Sequence, residues 1–384
     1  MLLSAATGRM NPKLARFERP VRLVLFVVAL YIFLVAIELF SAAFKEAGSE
    51  TASQLFHGLQ NPFAGLAVGI LATVLVQSSS VTTSTIVAMV GSGALPLTQA
   101  VPMVMGANIG TSVTNTVVAI GHVSQGSAFR RAFAGATVHD IFNILTVVIL
   151  LPIELATGLL QHSAEWLAAV IPWTGVGGSF ESPVKAAVQW LAGLMVAVAK
   201  DGVGLHGIGL SVLLAVLSFA MIFASLVFIT KNMRTLLADH IEQWLNRVLR
   251  RNIVLGLLVG IGMTVLVQSS SITTSLLVPV FGAGVMKLEA GFPIMIGANI
   301  GTTVTALLAA TVAGPAGLTI ALVHLLFNVA GTLLFLPIRP MRRIPINLAK
   351  LLALATQRNR IWVAVYILGV FVVAPLLGIW LWQG

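Results

Sequence analysis

The chain has 384 residues, of which 58% are hydrophobic and only 9% are charged. Soluble globular domains carry about 25% charged residues, so this composition excludes an ordinary soluble domain and indicates a membrane protein. The formal net charge of +10 is not a nucleic-acid signal, because the basic residues stand between apolar segments as a topology signal does. The absence of cysteine excludes disulfides, thiolate metal sites and thiol nucleophiles.

The N-terminal region, residues 1–61, is predicted to be a cytoplasmic segment followed by the first transmembrane helix. The apolar run at about 21–44 is long enough to cross the hydrocarbon core and too long for the apolar part of a signal peptide. Cytoplasmic flanks of membrane helices carry an excess of Lys and Arg, which places the N-terminus in the cytoplasm. The basic residues before this helix are Arg9, Lys13, Arg16, Arg19 and Arg22.

Three sequence blocks occur twice, in the same order. They are TVLVQSSS at 73–80 and 264–271, GANIGT at 106–111 and 297–302, and HDIFN and HLLFN, which begin at His139 and His324. Matches in this order indicate two copies of one unit, with repeat one at 62–154 and repeat two at 253–339.

The two repeats are predicted to have inverted topologies, because the basic residues at their ends alternate between the two sides. Repeat one begins outside, after the first crossing. The linker at 155–252 contains scaffold helices, one of them the apolar span at about 205–230, and a basic cytoplasmic amphipathic stretch, so repeat two begins inside. The segment 340–384 is predicted to be a cytoplasmic basic segment and the last transmembrane helix. Inverted repeats are typical of secondary transporters, whose site lies where the broken segments of both halves meet.

The QSSS stretch interrupts an apolar helix in each repeat and predicts a re-entrant hairpin. Irregular polar backbone at membrane depth is tolerated only where it is buried in protein or lines a wet cavity. Ser78, Ser79 and Ser80 lie at the start of the second half-helix, where free N–H groups attract anions, and the carbonyls that end the first half-helix attract cations. Two such loops predict a site for an anion and a small hard cation such as Na⁺. The alternative is that these residues only cap the break or hold helices together.

The GANIGT stretch predicts a second break in each repeat, at Asn108-Ile109-Gly110 and at Asn299-Ile300-Gly301. Thr302 and Thr305 follow at a spacing that places both on one helical face, where their oxygens are candidate Na⁺ ligands. The alternative for each threonine is a hydroxyl bond to a carbonyl of its own helix. The predicted class is therefore an all-α polytopic membrane protein with two inverted-topology repeats, each with a re-entrant helical hairpin and a discontinuous transmembrane helix.

The QSSS loops, the GANIGT stretches and the run FRRAFAGATVHDIFN resemble the type II sodium–phosphate cotransporter family, in a short bacterial-type form, over about 60–155 and 250–360. The resemblance implies sodium-coupled symport of inorganic phosphate, no cofactor beside the coupling ion, and a homodimer with an elevator-like movement. The implied phosphate ligands are Ser78, Ser79, Ser80, Ser269, Ser270 and Thr111. One implied sodium site comprises Gln268, Ser269, Thr302 and Thr305, and the further sodium-binding candidates are Gln77, Asn108, Asn299 and Asn143.

The chain departs from the pattern of that family at two positions. Many members have an acidic residue shortly before FRRAF, thought to serve another sodium site, where this chain has Gln125, although it keeps the nearby Asn143. Repeat two reads GAN where many relatives read GSN, so Ala298 lacks a hydroxyl in the same region. Both departures concern one of the sodium sites that the resemblance implies.

Asp140 is an ionisable residue well inside a predicted span, which makes it a functional candidate. In the resembled family an Asp at this position accompanies electrogenic transport, so Asp140 is the candidate for charge coupling. The alternatives are local pairing with Arg130 or Arg131, or protonation. The two arginines are interpreted as topology anchors in preference to phosphate ligands. His139 and His324 are interpreted as donors in helix packing, because no other ligand type stands at metal spacing.

Three functions remain in competition. The first is sodium–phosphate symport into the cell, in the plasma or bacterial inner membrane. The second is an inverted-repeat symporter for another small anion, such as sulfate or a dicarboxylate, although neither repeat places an Arg near its break. The third is an intramembrane serine hydrolase, which needs a base beside its nucleophile. From Asn61 to Phe129 there is no Lys, Asp or Glu, and the only His is His122, so we expect no enzyme.

Overall fold

The structure, a computed structural model, describes residues 12–47, 61–120, 126–171, 183–248 and 253–382. Every regular element in these residues is helical. Six of the described helices are long and apolar enough to cross a membrane: Pro20–Glu46, Leu97–Ile120, Ser127–Thr157, Gly207–Ile229, Leu288–Phe335 and Ile361–Leu381. The prediction of an all-α polytopic membrane protein is therefore confirmed. Arg9 and Gln125 lie outside the described residues.

The first half of the chain contains a long first helix and the elements of repeat one. These helices are α1 (Pro12–Ala47), α2 (Pro62–Val76), α3 (Ser79–Gly91), α4 (Leu97–Gly110), α5 (Val113–Ile120) and α6 (Ser127–Thr157). Helix α2 has Asn61 as its N-cap, whose side chain accepts from the Phe63 N–H at 2.9 Å, and Pro62 at its first position. Both are residues that start helices well.

The second half continues with the linker helices and repeat two. They are α7 (Leu159–Val170), α8 (Pro183–Ala197), α9 (Gly207–Val248), α10 (Ile253–Val267), α11 (Ser270–Gly282), α12 (Leu288–Phe335), α13 (Arg339–Arg358), α14 (Ile361–Leu368) and α15 (Ala374–Trp382). Short π-helical turns follow α8 and join α14 to α15. Helices α1 and α9 pack along each other, and the Asn232 side chain of α9 donates to the Arg22 carbonyl of α1 at 2.6 Å.

The two repeats share their local structure. Helices α10 and α11 begin and end 191 residues after α2 and α3, and α12 begins 191 residues after α4. The hairpins therefore break at matched positions, as the repeated QSSS predicts.

Glycines bring each hairpin into backbone contact with the crossing helix that follows it. A Cβ atom on Gly69 of α2 would collide with the Met103 carbonyl of α4, and one on Gly106 would collide with the Leu66 carbonyl. In repeat two, Gly260 and Gly297 make the same approach to the Ile294 and Leu257 carbonyls. Such close packing of small residues is how membrane helices associate without a hydrophobic driving force.

Each hairpin also packs against a helix of the other repeat. Helix α3 lies on α12, where Gly91 approaches the Ala313 carbonyl and Gly317 lies beside Val87. Helix α11 lies on α6, where the ring of Phe281 occupies the space beside Gly135. The two repeats are thus interlocked, and neither hairpin packs within its own half alone.

The break predicted at Asn299-Ile300-Gly301 is wrong, because α12 is continuous through these residues. A glycine inside a helix costs only about 1 kcal/mol relative to alanine, and Gly301 packs closely against Thr264. Within α12 the only non-helical residue is Gly314, which has φ 77° and ψ −172°, precedes Pro315 and divides α12 into two helices, at a place equivalent to the connection between α5 and α6. A residue before proline disfavours the helical region, and glycine adopts the positive φ without strain.

In repeat one the break is a short turn at Thr111 and Ser112, between α4 and α5. It therefore begins one residue after the predicted Asn108-Ile109-Gly110. The predicted discontinuous helix is therefore present in repeat one, whereas the equivalent crossing of repeat two is continuous as far as Gly314.

The glycine contact between α10 and α12 predicts a sharp positional effect. Gly260→Ala should destabilise the protein by about 1–3 kcal/mol, because the added Cβ forces the two helices apart. Gly262→Ala, on the same helix with nothing within 4 Å of its Cβ position, should not destabilise the protein and should stabilise it by up to about 1 kcal/mol, because alanine is the better helix former. The midpoint of thermal unfolding in detergent measures both. Equal midpoints for the two variants would contradict the backbone contact.

Candidate functional site

Both QSSS loops have the same unusual backbone. Gln77 and Gln268 end α2 and α10 with φ values of 57° and 56°, and they are the only residues other than glycine with positive φ in the described chain. This conformation costs roughly 1–2 kcal/mol for an L-residue, so local contacts must stabilise it. The side-chain amide supplies one such contact, because Nε2 donates at 2.5 Å to the Val74 carbonyl in one loop and to the Val265 carbonyl in the other.

The serine after each glutamine caps the second half-helix. Ser78 accepts from the Val81 N–H and Ser269 from the Ile272 N–H, both at 3.3 Å. The next N–H groups, of Ser79 and Ser80 in repeat one, belong to the first turn of α3 and have no carbonyl acceptor within the helix. The hydroxyls of Ser79, Ser80 and Ser270 also have no hydrogen-bond partner among the described residues, although all three residues are buried. Each loop therefore presents unused donors at a helix N-terminus, an arrangement that binds anions.

Each glutamine is tied to a threonine 37 residues later. Thr114 donates to Gln77 Oε1 at 3.0 Å, and Thr305 donates to Gln268 Oε1 at 2.9 Å. Gln268 is buried, with 8% of its surface exposed, whereas Gln77 is exposed. A neutral amide oxygen beside a hydroxyl oxygen at the carbonyl end of a helix suits a small hard cation. The buried Gln268–Thr305 pair is thus the better enclosed of the two.

A chain of hydrogen bonds joins the two repeats through their asparagines. His139 Nε2 contacts Asn299 Oδ1 at 2.5 Å, Asn299 Nδ2 donates to Asn143 Oδ1 at 2.7 Å, and Asn143 Nδ2 donates to the Asn108 carbonyl at 2.8 Å. Ser112 contacts the other ring nitrogen of His139 at 3.2 Å. All of these residues are buried. The three asparagines predicted as sodium candidates therefore lie together at the interface of the halves.

The equivalent groups of repeat two are not paired in this way. Both ring nitrogens of His324 and Oδ1 of Asn328 are buried without a hydrogen-bond partner in the described part of the chain. His139 makes the helix-packing contacts expected of it, whereas the same expectation for His324 is wrong. The residue equivalent to Ser112 is Thr303, which donates to the Ile300 carbonyl of its own helix and not to the His324 ring. Asn328 Nδ2 likewise donates within its own helix, to the His324 carbonyl.

Asn115 of α5 links repeat one to the second hairpin. Its Oδ1 accepts from Thr274 at 3.0 Å and from Ser275 at 2.9 Å, both on α11. The position 191 residues later is Ala306, and the hydroxyl of Ser84, which is equivalent to Ser275, is buried without a partner among the described residues. The second hairpin therefore has side-chain hydrogen bonds to the opposite repeat through Asn115, and the first hairpin has no equivalent of them at Ala306.

Asp140 is fully buried beside the last transmembrane segment. Its Oδ2 accepts from the Tyr366 hydroxyl at 2.8 Å and from Thr116 at 3.4 Å. Arg131 instead donates to the Phe281 and Gly282 carbonyls at the end of α11, so the alternative of an Asp140–Arg131 pair is not observed.

The remaining predicted residues bond within their own helices. Thr111 donates to the Ala107 carbonyl and Thr302 to the Ala298 carbonyl, each at 3.0 Å. No hydrogen bond joins the serines of one loop to those of the other in the described residues. Sequence reasoning missed Thr114 and Asn115 as site residues. The repeat itself identifies Thr114, which precedes the predicted Thr305 by 191 residues.

The loops are almost free of formal charge. Residues 61–129 contain no Lys, Arg, Asp or Glu, and repeat two has no charged residue between Ile253 and Met286. In the described chain no group of three or more His, Asp or Glu could hold a metal ion. The site thus consists of neutral oxygens, amides and helix ends.

The sequence was compared with known protein families and proteins. The sequence profile of the Na⁺/Pi-cotransporter family matches residues 32–226 and 221–354. The chain is 34% identical to sodium-dependent phosphate transport protein 2A of Rattus norvegicus, over 96% of this chain and 69% of the relative. It is 35% identical to protein 2B of Homo sapiens, over 91% of this chain and 63% of the relative.

The chain thus spans about two thirds of the length of these curated relatives. No solved structure matches it. The match of the family profile covers most of the chain and includes both QSSS loops, which confirms the resemblance inferred from those motifs. The protein therefore belongs to the Na⁺/Pi-cotransporter family, whose members are transporters and not enzymes.

Proposed function

We propose that the protein is a secondary active transporter that couples the entry of inorganic phosphate to sodium. The observation that carries this proposal is the pair of QSSS loops, each with an unused helix N-terminus on one side and a glutamine–threonine oxygen pair on the other. The names of the relatives, sodium-dependent phosphate transport proteins, support the same substrate and coupling ion.

The ligands follow from these two ends of each break. Phosphate contacts Ser78, Ser79 and Ser80 of the first loop, Ser269 and Ser270 of the second, and Thr111. One sodium site comprises Gln268, Ser269, Thr302 and Thr305. A hydroxyl that donates to a helix carbonyl keeps its oxygen lone pairs, so Thr302 remains able to bind a cation. Gln77, Asn108, Asn143 and Asn299 supply the further sodium ligands.

Sodium is obligatory in this proposal because of charge. Phosphate carries about −1.5 to −2 charges if its second pKa is near that of other phosphoryl groups. The loops offer no cationic side chain, and two helix N-termini offset only about one unit of charge. Burying the rest uncompensated would be prohibitive, so the balance must enter with the substrate. Asp140, as a buried carboxyl, is the residue whose charge state decides whether the cycle moves net charge.

The remaining features of the proposal concern the whole molecule. The two repeats have inverted topologies in a plasma or bacterial inner membrane, with the N-terminus in the cytoplasm. Access alternates by an elevator-like movement, and the protein is a homodimer. The reciprocal packing of α3 on α12 and of α11 on α6 supports a site shared by the two halves.

Uptake into proteoliposomes tests the function directly. Radiolabelled phosphate should accumulate with an inward sodium gradient and not when choline replaces sodium. Excess unlabelled phosphate should compete, and excess sulfate or succinate should not. Undiminished uptake without sodium, or equal competition by sulfate, would contradict the proposal.

Substitutions in the loops should separate binding roles. Gln77→Ala and Gln268→Ala should abolish sodium-driven uptake, whereas Gln357→Ala on α13 should not. Thr305→Val removes the hydroxyl that donates to Gln268 Oε1. Because the loss of this buried hydrogen bond costs about 1–3 kcal/mol, the sodium concentration for half-maximal uptake should rise at least about five-fold. Thr311→Val, on the same helix, removes a hydroxyl that bonds only the Leu308 carbonyl and should behave as wild type. Wild-type uptake by either glutamine variant would refute the shared site.

Cysteine labelling tests the inversion, because the chain has no cysteine of its own. Single cysteines at Glu50 and Gly178, both outside the described residues, should react with an impermeant maleimide from outside. Cysteines at Leu236 and Arg342 should react only from the cytoplasm. Labelling of positions 50 and 236 from the same side would exclude inverted repeats.

A further inference from the structure

A second polar region lies away from the QSSS loops, where the start of α6, the end of α11 and the start of α12 meet the middle of α13. These segments enclose a cavity of about 800 Å³. None of the proposed phosphate or sodium ligands lines it. The cavity is therefore separate from the substrate and sodium sites proposed above.

The cavity is strongly basic. Arg130 and Arg131 line it from α6, Lys287 from the start of α12 and Lys350 from α13, against the single carboxylate of Glu289. Lys350 pairs with Glu289 at 2.5 Å. Arg131 donates to the Phe281 and Gly282 carbonyls, which orients the guanidinium without neutralising it. Arg130 and Lys287 are exposed, and neither makes a hydrogen bond or a salt bridge among the described residues, although the charge of Lys287 acts on Glu289. Four cations beside one carboxylate leave the cavity with an excess of positive charge.

Apart from Asn347 and the backbone of Gly284, the rest of the lining is apolar. It is formed by Ala134, Phe281, Met286, Leu288, Leu351 and Leu354. A site for a free inorganic ion has no use for such a surface, since apolar walls do not replace the water that the ion loses. Cationic groups beside an apolar wall suit an amphiphilic anion.

The position in the fold agrees with this chemistry. The cavity lies at the ends of three helices, where charged residues meet the membrane–water boundary. Helix α13 beside it buries Ile346 and Ala349 against the protein while Leu348 and Leu351 are 41% and 62% exposed. Its basic residues are Arg339, Arg342, Arg343, Lys350 and Arg358. A helix with exposed leucines among arginines is typical of one that lies in the membrane interface.

We propose that this cavity binds the headgroup of an anionic phospholipid. The phosphodiester lies between Arg130 and Lys287, and the beginnings of the acyl chains lie against Leu351 and Leu354. Basic pockets between membrane helices are a known way of holding such headgroups. Because Arg130 belongs to repeat one and Lys287 to repeat two, the lipid bridges the two halves.

The test measures lipid retention by the purified full chain. Protein in nanodiscs of phosphatidylcholine with increasing phosphatidylglycerol is released and weighed by native mass spectrometry. Wild type should retain phosphatidylglycerol and not phosphatidylcholine. Each lost cation should weaken binding about five-fold, so Arg130→Gln with Lys287→Gln should weaken it about thirty-fold. Arg130→Lys should keep near-wild-type binding.

The matched control is Arg343→Gln, which removes an exposed cation of α13 that does not line the cavity. It should leave retention unchanged. Equal loss in this control, equal retention of phosphatidylcholine, or displacement of the lipid by millimolar inorganic phosphate would overturn the proposal. The comparison of the two lipids on wild type needs no substitution, so it decides even if the double variant fails to fold.

Discussion

Two breaks within apolar helices impose the constraint on which the rest of the structure depends. Backbone groups at membrane depth cannot bond to water, and each unsatisfied one costs several kcal/mol. Gln77 and Gln268 meet this constraint with one side chain each, since the amide nitrogen bonds the preceding helix and the amide oxygen accepts from a threonine. The serine that follows caps the next helix. The polar side chains in an otherwise apolar run thus make the break possible, and the donors left over form the proposed site.

Close helix packing positions these breaks. Glycines on α2 and α10 allow backbone contact with α4 and α12, so each hairpin and its neighbouring crossing form one closely packed pair. The hairpins then lie across the opposite repeat, α3 on α12 and α11 on α6. Asn115 and the His139–Asn299 contact hold this arrangement with buried hydrogen bonds between the halves. Packing and polar contacts therefore join the same pairs of helices.

Local features could be predicted from the sequence, and long-range ones could not. The break at QSSS follows from a short polar run between apolar helices, with serine as a good N-cap. The break expected at Asn299 failed because tertiary packing holds a glycine in a continuous helix, while Gly314 before Pro315 is the stronger breaker. The contact of His139 with Asn299 joins residues 160 apart and depends on how two helices pack. Tyr366 beside Asp140, from the last transmembrane segment, is equally inaccessible to pattern reasoning.

The unequal hydrogen bonding of the two halves has an energetic consequence. Two identical halves could exchange roles, and the two arrangements would have the same free energy by symmetry. Here His139 has two hydrogen-bond partners, the ring of His324 has none within the described ranges, and Asn115 is matched by Ala306. An unsatisfied buried polar group costs about 1–3 kcal/mol, so exchanging the roles changes the free energy of the molecule. In the proposed alternating-access cycle the two end states of the empty protein would therefore differ in free energy, and the residues by which the repeats differ would determine which state is preferred.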